Sequence, residues 1–361
     1  MIEPGVRCKR DVTFTLPIRY NGAMTKFSVL DLAPVCEGSN ASTALHNALD
    51  IARHAETWGF NRYWVAEHHN IAGLASAATS VVMGYIAGGT STIRVGAGGI
   101  MLPNHAPLMI AEQFGTLATL YPDRIDLGLG RAPGTDQTTM QALRRSLSQE
   151  VGDFPRDVVE LQHYLKPVQP GQRVVATPGE GTNVPLWILG SSLFGAQLAA
   201  MLGLPFAFAS HFAPQALDEA IKIYRDNFQP SEQLQSPYVM LGYNICAADS
   251  EAEADMLRTS SLQSFVNLRR GAPGKLPPPI ADYEASLSAS EQAMLNQMSR
   301  CAAVGTIETV EAQVGQFLAE TQVDELIVVC SIYDHKARLK SYEMTADIAR
   351  TFADSPVRQY A

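Results

Sequence analysis

The sequence predicts an α/β fold, a single-domain TIM (β/α)8 barrel with insertions. Two observations support this prediction. Short apolar runs bounded by Gly, Pro or Asp alternate with longer runs of period ~3.6, which are the patterns of buried strands and amphipathic helices. Eight strand candidates recur over most of the 361 residues. Alternation of that length favours a closed parallel barrel over a doubly wound open sheet.

The predicted strands are short and are separated by helical stretches. In order, the strands are Lys26–Leu32, Arg62–Ala66, Thr92–Met101, Arg124–Leu129, Pro185–Leu189, Pro205–Ala209, Tyr238–Ala247 and Glu325–Cys330. The helical stretches include Ser42–Trp58, Ser76–Gly88, Ala106–Tyr121, Gln137–Gln149, Ser192–Leu202, Pro214–Asn227 and Thr309–Thr321.

The parts of the chain outside this pattern lie at the N-terminus and in two insertions. Residues 1–23 carry no apolar core of ~7–15 residues, so they are not a secretory signal. We expect them to be a flexible extension of a domain that spans residues 24–361, with an arm packed on the domain as the alternative. Asp153–Val184 and Leu268–Met294 are longer than barrel connections require. The proline run at 277–279 predicts that the second is a long loop.

Composition excludes several classes of protein. Lys and Arg number 27 against 36 Asp and Glu, and the net charge of −9 argues against a nucleic-acid partner. No apolar run reaches the ~18 residues of a membrane-spanning helix. Five cysteines without a CxxC pair favour a reducing, cytoplasmic compartment, and they argue against a thiolate metal site. We therefore predict a cytoplasmic protein without a metal, nucleic-acid or membrane partner.

Candidate functional residues follow from the predicted fold. Because the active sites of such barrels lie at the C-terminal ends of the strands, residues directly after each strand form the search set. They are Asp31, Glu67-His68-His69-Asn70, Gly98-Gly99 through His105, Gly130-Arg131, Gly190-Ser191-Ser192 and Ser210-His211.

An anion site is predicted from two of these strand ends. Arg131 follows a buried strand and is preceded by glycine, and a guanidinium matches phosphate oxygens well. Ser191, Ser192 and Leu193 stand where a strand passes into a helix, whose N-terminal N–H groups favour anions. The alternatives are a salt bridge of Arg131 at the barrel rim and a plain N-cap role for Ser192. The glycines around Arg131 do not have the dinucleotide-binding spacing, which disfavours a Rossmann site.

Two further strand ends predict an acid–base group and a flat surface. Side chains alternate along a strand, so Glu67 and His69 should face one way and His68 the other. A general acid–base role for His68 is plausible, a rim histidine is the alternative, and adjacent histidines disfavour a zinc site. Glycines at 96, 98 and 99 would let a flat ligand approach the backbone, or would mark a bulge. A flat ligand with one phosphate near a histidine suggests flavin mononucleotide (FMN).

Five segments resemble motifs of the bacterial luciferase-like flavin monooxygenases, in the branch of single-chain luciferase family oxidoreductases. They are Phe27–Asp31, Trp64–His69, Val95–Pro103, Arg124–Arg131 and Pro185–Ser192, within a resemblance that covers about residues 26–349. The resemblance implies a TIM barrel that takes reduced FMN from a separate flavin reductase. It also implies a reaction with O2 that oxidises a small organic substrate, which the sequence does not identify.

The same resemblance implies roles for individual residues. The catalytic histidine of the family falls on His68, the phosphate-binding arginine on Arg131, and the phosphate-binding helix start on Ser191, Ser192 and Leu193. A non-proline cis peptide beside the flavin falls on Gly98–Gly99, and a mobile lid on about 268–294.

The resemblance also implies a homodimer. In the family, the segments that correspond to Ala75–Gly89 and Ala106–Tyr121 pack together between two subunits.

Some positions depart from luciferase. Gly130 stands where luciferase has a reactive cysteine, and Ser191 where it has an acidic residue, so light emission is not implied. Two alternatives stay open. One is an oxidoreductase that depends on the deazaflavin F420, and the other is a non-catalytic flavin-binding protein.

Overall fold

A closed parallel barrel of eight strands forms the centre of the molecule. The computed structural model describes residues 25–132, 137–143 and 153–353, so the predicted extension at 1–23 lies outside the described residues. Neighbouring strands pair in the order β6-β5-β4-β3-β2-β1-β9-β7-β8, and a further pairing of β6 with β7 closes the ring. Every pairing is parallel. The predicted TIM barrel is confirmed.

The strands match the eight predicted positions and include one that was not predicted. They are β1 Lys26–Asp31, β2 Arg62–Val65, β3 Arg94–Met101, β4 Ile125–Gly130, β5 Leu186–Gly190, β6 Phe206–Phe208, β7 Val239–Ala247, β8 Ala302–Gly305 and β9 Glu325–Val329. The additional strand, β8, pairs with the second half of β7, while β9 pairs with the first half. It therefore extends the sheet beyond the barrel without entering the ring.

Helices connect the strands around the outside. They are α1 Ala41–Trp58, α2 Thr79–Gly88, α3 Pro107–Leu120, α4 Gln137–Ala142, α5 Phe154–Leu165, α6 Leu193–Leu202, α7 Leu217–Asn227, α8 Glu251–Arg269, α9 Ala289–Met298, α10 Ile307–Thr321 and α11 His335–Ala353. The predicted helix Gln137–Gln149 is seen as α4, and its second part from residue 144 lies outside the described residues.

The prediction of a long loop over 268–294 is wrong in part. Residues 270–282 are irregular, but a short 3-10 turn follows, and α9 begins inside the segment. Its start has a physical cause, because Ser288 and Glu291 form a capping box in which each side chain accepts from the backbone N–H of the other residue. The other insertion, 153–184, is likewise not all loop, because α5 lies in it.

Side-chain alternation along the strands separates two apolar cores. The larger core lies between the barrel and the helices. The smaller one fills the barrel itself, with Leu30, Trp64, Ala66, Trp187, Ala207, Met240, Ile327 and Val329. Among the helices that the structure describes, none combines the length and apolar character needed to cross a membrane.

Candidate active site

The N-terminal end of the barrel is closed by buried charges. Arg62, the first residue of β2, lies 2.7 Å from Asp126 and 2.8 Å from Glu325. Burial lowers the pKa of Arg62, but the charges of Glu325 and then Asp126 outweigh this and raise it above its ordinary value. Each of these buried charges is thus compensated by an opposite charge.

Two tryptophans lie above this layer and form the floor of the opposite opening. The rings of Trp64 and Trp187 meet edge to face with centroids 5.1 Å apart. A Cβ at Gly96 would lie 2.2 Å from Nε1 of Trp64, and one at Gly98 would lie 2.8 Å from its Cε3. The flat group against the inward side of these glycines is therefore the protein's own indole. Gly98 is still partly exposed, although β3 is a central strand.

The peptide bond between Gly98 and Gly99 is cis, as the resemblance implies. The register between β3 and β4 shifts between Ala97 and Ile100, so the glycine segment is also an irregularity of the sheet. The backbone N–H of Glu67 donates to the carbonyl of Gly99 over 3.2 Å. This contact joins the end of β2 to the glycine segment.

Glu67, His68 and His69, in the segment that follows β2, face in the predicted alternating directions. Nε2 of His69 lies 2.7 Å from Oε1 of Glu67, so these two side chains share one side. His68 is partly exposed on the other side, where it is close enough to His211 to lower that residue's pKa. The structure thus brings His68 together with the end of β6, on the side expected for an acid–base group.

Glu67 is a buried centre of hydrogen bonds that the sequence analysis did not single out. Besides His69, its carboxylate contacts Nε2 of His105 at 2.9 and 3.0 Å and accepts from the N–H of Met101 at 2.9 Å. Burial raises its pKa, but these bonds, first that of His105, lower it below its ordinary value. An ionised Glu67 therefore ties β2, β3 and the turn that follows β3 together beside His68.

Arg131 lies against the start of α6, so the two predicted parts of the anion site are adjacent. Its guanidinium carbon is 4.1 Å from the ring centroid of Phe194, the second residue of that helix. Within the described residues no carboxylate pairs with Arg131, so the alternative of a salt bridge at the rim is not seen there. Ser192 occupies the N-cap position, but its side chain accepts no hydrogen bond from the helix. The hydroxyls of Ser191 and Ser192 are exposed.

His211 is the second group that the sequence analysis left unassigned, although it stood in the set of strand-end residues. It is partly exposed, but its Nδ1 atom is buried and has no hydrogen-bond partner in the described part of the chain. Burial, and then the nearby His68, lower its pKa to about 4. Its position after β6 was the available signal. Its contacts with β7 are long-range and could not be predicted from local pattern.

The segment after α8 crosses the same end of the barrel. The N–H of Leu276 donates to Val35 and its carbonyl accepts from Glu37, both in the loop after β1. Leu276 is 4% exposed, so this part of the predicted lid is docked onto the barrel rim in the structure. Among the described residues, no group of three His, Cys, Asp or Glu has an arrangement that could hold a metal ion.

Comparisons with known proteins place this geometry in a family. The model of the luciferase-like monooxygenase family matches residues 25–325. A luciferase-like monooxygenase of Escherichia coli K12 is 55% identical over 322 residues, which cover 89% of this chain and 96% of that protein. The uncharacterised protein YvbT of Bacillus subtilis is 52% identical over 325 residues, covering 90% and 96%.

Solved structures show the same fold. Apo-MsnO8 superposes with a TM-score of 0.81 at 35% identity and covers 90% of this chain and 98% of its own. More distant neighbours share the fold alone. The oxygenating constituent of 3,6-diketocamphane monooxygenase of Pseudomonas putida, in complex with FMN, covers 91% and 98% with a TM-score of 0.68 at 16% identity. An F420-dependent secondary alcohol dehydrogenase covers 91% and 99% with a TM-score of 0.59, also at 16% identity.

Flavin-type cofactors therefore occur among its structural neighbours in two forms, FMN and F420. With its barrel, its strand-end residues and its match over 25–325, the chain belongs to the luciferase-like monooxygenase family.

Proposed function

We propose that this protein is a monooxygenase that binds reduced FMN at the C-terminal end of the barrel and oxidises a small organic substrate with O2. The observation that carries the proposal is the position of Arg131 over the first turn of α6. A cation without a carboxylate partner in the described part of the chain, beside a helix N-terminus whose cap serine is not engaged, suits a phosphate group.

The neighbouring surface suits the ring of such a ligand. The cis Gly98–Gly99 segment lies within β3, beside the end of β2, and Gly98 keeps exposed surface in a strand that is otherwise largely buried. Apolar residues on the neighbouring strands, among them Leu189 and Val329, would contribute the walls. We assign phosphate binding to Arg131, Ser191, Ser192 and Leu193, and ring contact to Gly98 and Gly99.

His68 is assigned the proton chemistry. Reduced FMN would supply the electrons with which O2 is activated. The imidazole of His68 would hold or move a proton at the reacting group, and the bonds of its neighbour Glu67 would keep the loop after β2 in place. The docked segment around Leu276 would limit access of water to the mouth.

An F420-dependent oxidoreductase is the alternative that the structural neighbours keep open. F420 carries a longer, acidic tail, which would require further basic residues beside Arg131. The residues that follow Arg131 in sequence are Ala132, Pro133 and Gly134, none of which is basic. The sequence therefore favours the shorter FMN phosphate.

The first experiment is an anaerobic titration of the full chain with reduced FMN, followed by rapid mixing with oxygenated buffer. Tight binding of reduced FMN would support the monooxygenase if an absorbance transient also follows the mixing with O2. That transient should decay more slowly than the rate at which free reduced FMN is oxidised. Binding with immediate reoxidation would support a flavin-binding protein without catalysis. Absence of FMN binding together with binding of F420 would replace the proposal with the F420 alternative. A separate flavin reductase with NADH then serves as the electron source for a substrate screen.

Arg131→Gln tests the phosphate site directly. Hydrogen bonds to charged groups contribute about 1.5–3 kcal/mol, so FMN affinity should fall about 10- to 150-fold. Riboflavin lacks the phosphate, and its affinity should change little in the same variant. Arg173→Gln, which removes an exposed charge elsewhere, is the matched control. Equal losses for FMN and riboflavin would remove Arg131 from the phosphate site.

We further propose that two copies associate through α2 and α3, which pack side by side. Large apolar side chains are exposed on both helices: Val81 is 71%, Tyr85 41%, Met109 55% and Leu120 63% exposed. Such a patch is typical of a contact surface. Sedimentation at micromolar concentration should give twice the monomer mass, and a Val81→Glu, Leu120→Glu double variant should give the monomer. A monomer in the unaltered chain would contradict the dimer.

A further inference from the structure

The inference concerns His211, which lies on the inner side of the barrel wall. Inward positions alternate along β6 and β7, and they include Ala207 on β6 and Met240 on β7. Gly242, two residues after Met240 on β7, is the next inward position. A Cβ at Gly242 would lie 1.9 Å from Nδ1 of His211. The imidazole therefore occupies the space that the missing side chain of Gly242 leaves.

The orientation of the ring follows from the same contact. After Nδ1, the atoms nearest to that Cβ position are Cε1 at 2.9 Å and Cγ at 3.0 Å, which flank Nδ1 in the ring. The opposite edge, with Nε2, is consequently directed away from the β7 wall. The backbone is held on both sides, because Asn244 donates to the carbonyl of His211 over 2.9 Å and Ser210 donates to that of Gly242 over 2.6 Å.

The protonation state of the ring follows from its surroundings. Burial lowers its pKa to about 4, and His68 contributes to this shift. Arg269, whose guanidinium carbon lies 4.9 Å from the ring centroid of the adjacent Phe212, is a cation on this side of the barrel. A neutral imidazole has one N–H. Orphaned buried N–H groups are rarer than under-used acceptors, so the proton belongs on Nε2 rather than on the buried, unpartnered Nδ1.

We infer that His211 is a second ligand-binding histidine of the site, which donates an uncharged hydrogen bond from Nε2 to a carbonyl oxygen of the bound flavin ring. The inference rests on the proposed function. Inward positions at this level include Leu32, Ala66, Leu189 and Val329, which offer no donor to the polar edge of a flavin. One of the two N–H groups of the Asn244 amide donates to the carbonyl of His211. An uncharged N–H matches an uncharged carbonyl, and it leaves proton transfer to His68.

The first test needs no ligand. In the full chain with 15N-labelled histidine, the signals of His211, identified by their loss in His211→Gln, should show a neutral ring with the proton on Nε2. They should stay unchanged between about pH 5.5 and 8.5, because the pKa of the ring lies far below that range. A ring that titrates there, or that carries its proton on Nδ1, would overturn the inference.

The second test uses oxidised FMN as the probe. Its addition should shift the Nε2–H signal of His211. His211→Leu should weaken FMN binding about 2- to 10-fold, the range of a neutral hydrogen bond, whereas His211→Gln, which retains an N–H donor, should restore most of the affinity. Gly242→Ala should weaken binding as His211→Leu does, because its methyl group displaces the ring.

The outcomes separate this inference from the proposed function. FMN binding with an unchanged His211 signal, or with equal affinity in all three variants, would overturn the inference alone. If the unaltered chain binds neither oxidised nor reduced FMN, both are overturned. A shifted signal together with rescue by glutamine would establish the hydrogen bond.

Discussion

The two ends of the barrel differ in whether their polar side chains have partners within the protein. At the N-terminal end, Glu325 accepts hydrogen bonds from Arg62, Asn61, Ser28 and Tyr238, so its charge is fully engaged. At the C-terminal end, Arg131 has no carboxylate partner among the described residues, and Nδ1 of His211 has no hydrogen-bond partner there. An unpartnered buried polar atom is costly, so the missing partners of these two residues support the ligand site proposed at this end. Polar groups whose hydrogen bonds are all made within the protein, such as Glu325, stabilise the fold.

The largest expected effect of a substitution is a loss of stability at the N-terminal end of the barrel. Glu325→Gln would leave Arg62 with one compensating charge in a dry environment, and breaking a buried ion pair costs about 3–5 kcal/mol. The free energy of unfolding in urea should fall by about that amount. Asp249→Asn removes one partner of an exposed pair with Lys340 and should cost under about 1 kcal/mol. Similar losses for both variants would contradict the contrast between the two ends.

The next effect is expected at the open end, and on turnover rather than stability. His68→Ala should lower turnover about 100-fold, the scale of general acid–base catalysis, while FMN affinity is retained. His163→Ala, on the exposed side of α5, is the control. Turnover that stays within a few-fold of the unaltered chain would exclude His68 from the chemistry.

Glu67 sharpens the comparison between the two ends of the barrel. It lies at the C-terminal end, but its carboxylate is engaged in hydrogen bonds as Glu325 is at the N-terminal end. Glu67→Gln should cost about 2 kcal/mol at pH 7, since bonds to a charged acceptor are lost. The pKa of Glu67 is lowered by folding, so its contribution is present above the ordinary pKa and is lost as pH falls through the lowered one.

The difference in unfolding free energy between the two proteins should therefore be constant near neutral pH and should shrink below about pH 4.5. Glu219→Gln, an exposed carboxylate, should show neither effect. A difference that grows on acidification would mean that Glu67 is protonated in the folded state.

The smallest expected effect concerns the support of Arg131. Phe194→Leu removes a ring 4.1 Å from the guanidinium, and a cation–π contact of this kind contributes about 0.5–1 kcal/mol. FMN affinity should fall about two- to fivefold, measured by fluorescence titration. Phe228→Leu, at the far end of α7, is the control. A loss as large as that of Arg131→Gln would mean that Phe194 contacts the ligand itself.

The sequence predicted the barrel because its strands are marked locally. Apolar runs such as Glu325–Val329 are bounded by turn residues, and all eight ring strands were found. The additional strand β8 was missed because its residues, Ala-Ala-Val-Gly, have little intrinsic preference for a strand and depend on pairing with β7. The helix α9 was missed because the proline run at 277–279, in the same insertion, led to the whole segment being predicted as loop.

The site was predictable only where sequence position is enough. His68, Arg131 and Gly98–Gly99 follow from strand ends and from the resemblance, and the structure places them at one end of the barrel. The contacts of Glu67 and His211 were not predicted, because most of their partners are far away in sequence. His105 is 38 residues from Glu67, and Gly242 lies on β7, whereas His211 lies in the turn after β6. Such contacts depend on how the segments that follow different strands meet at the end of the barrel, and the local sequence pattern does not specify this.

The fit between Trp64 and the glycines of β3 has an evolutionary consequence. The indole fills the positions that side chains at 96 and 98 would occupy, with separations of 2.2 and 2.8 Å from the Cβ sites. The two glycines and Trp64 are therefore sterically coupled in any descendant of this chain. A side chain at 96 requires a smaller residue at 64 and also a shift of Asp126, whose Cβ would lie 2.9 Å away.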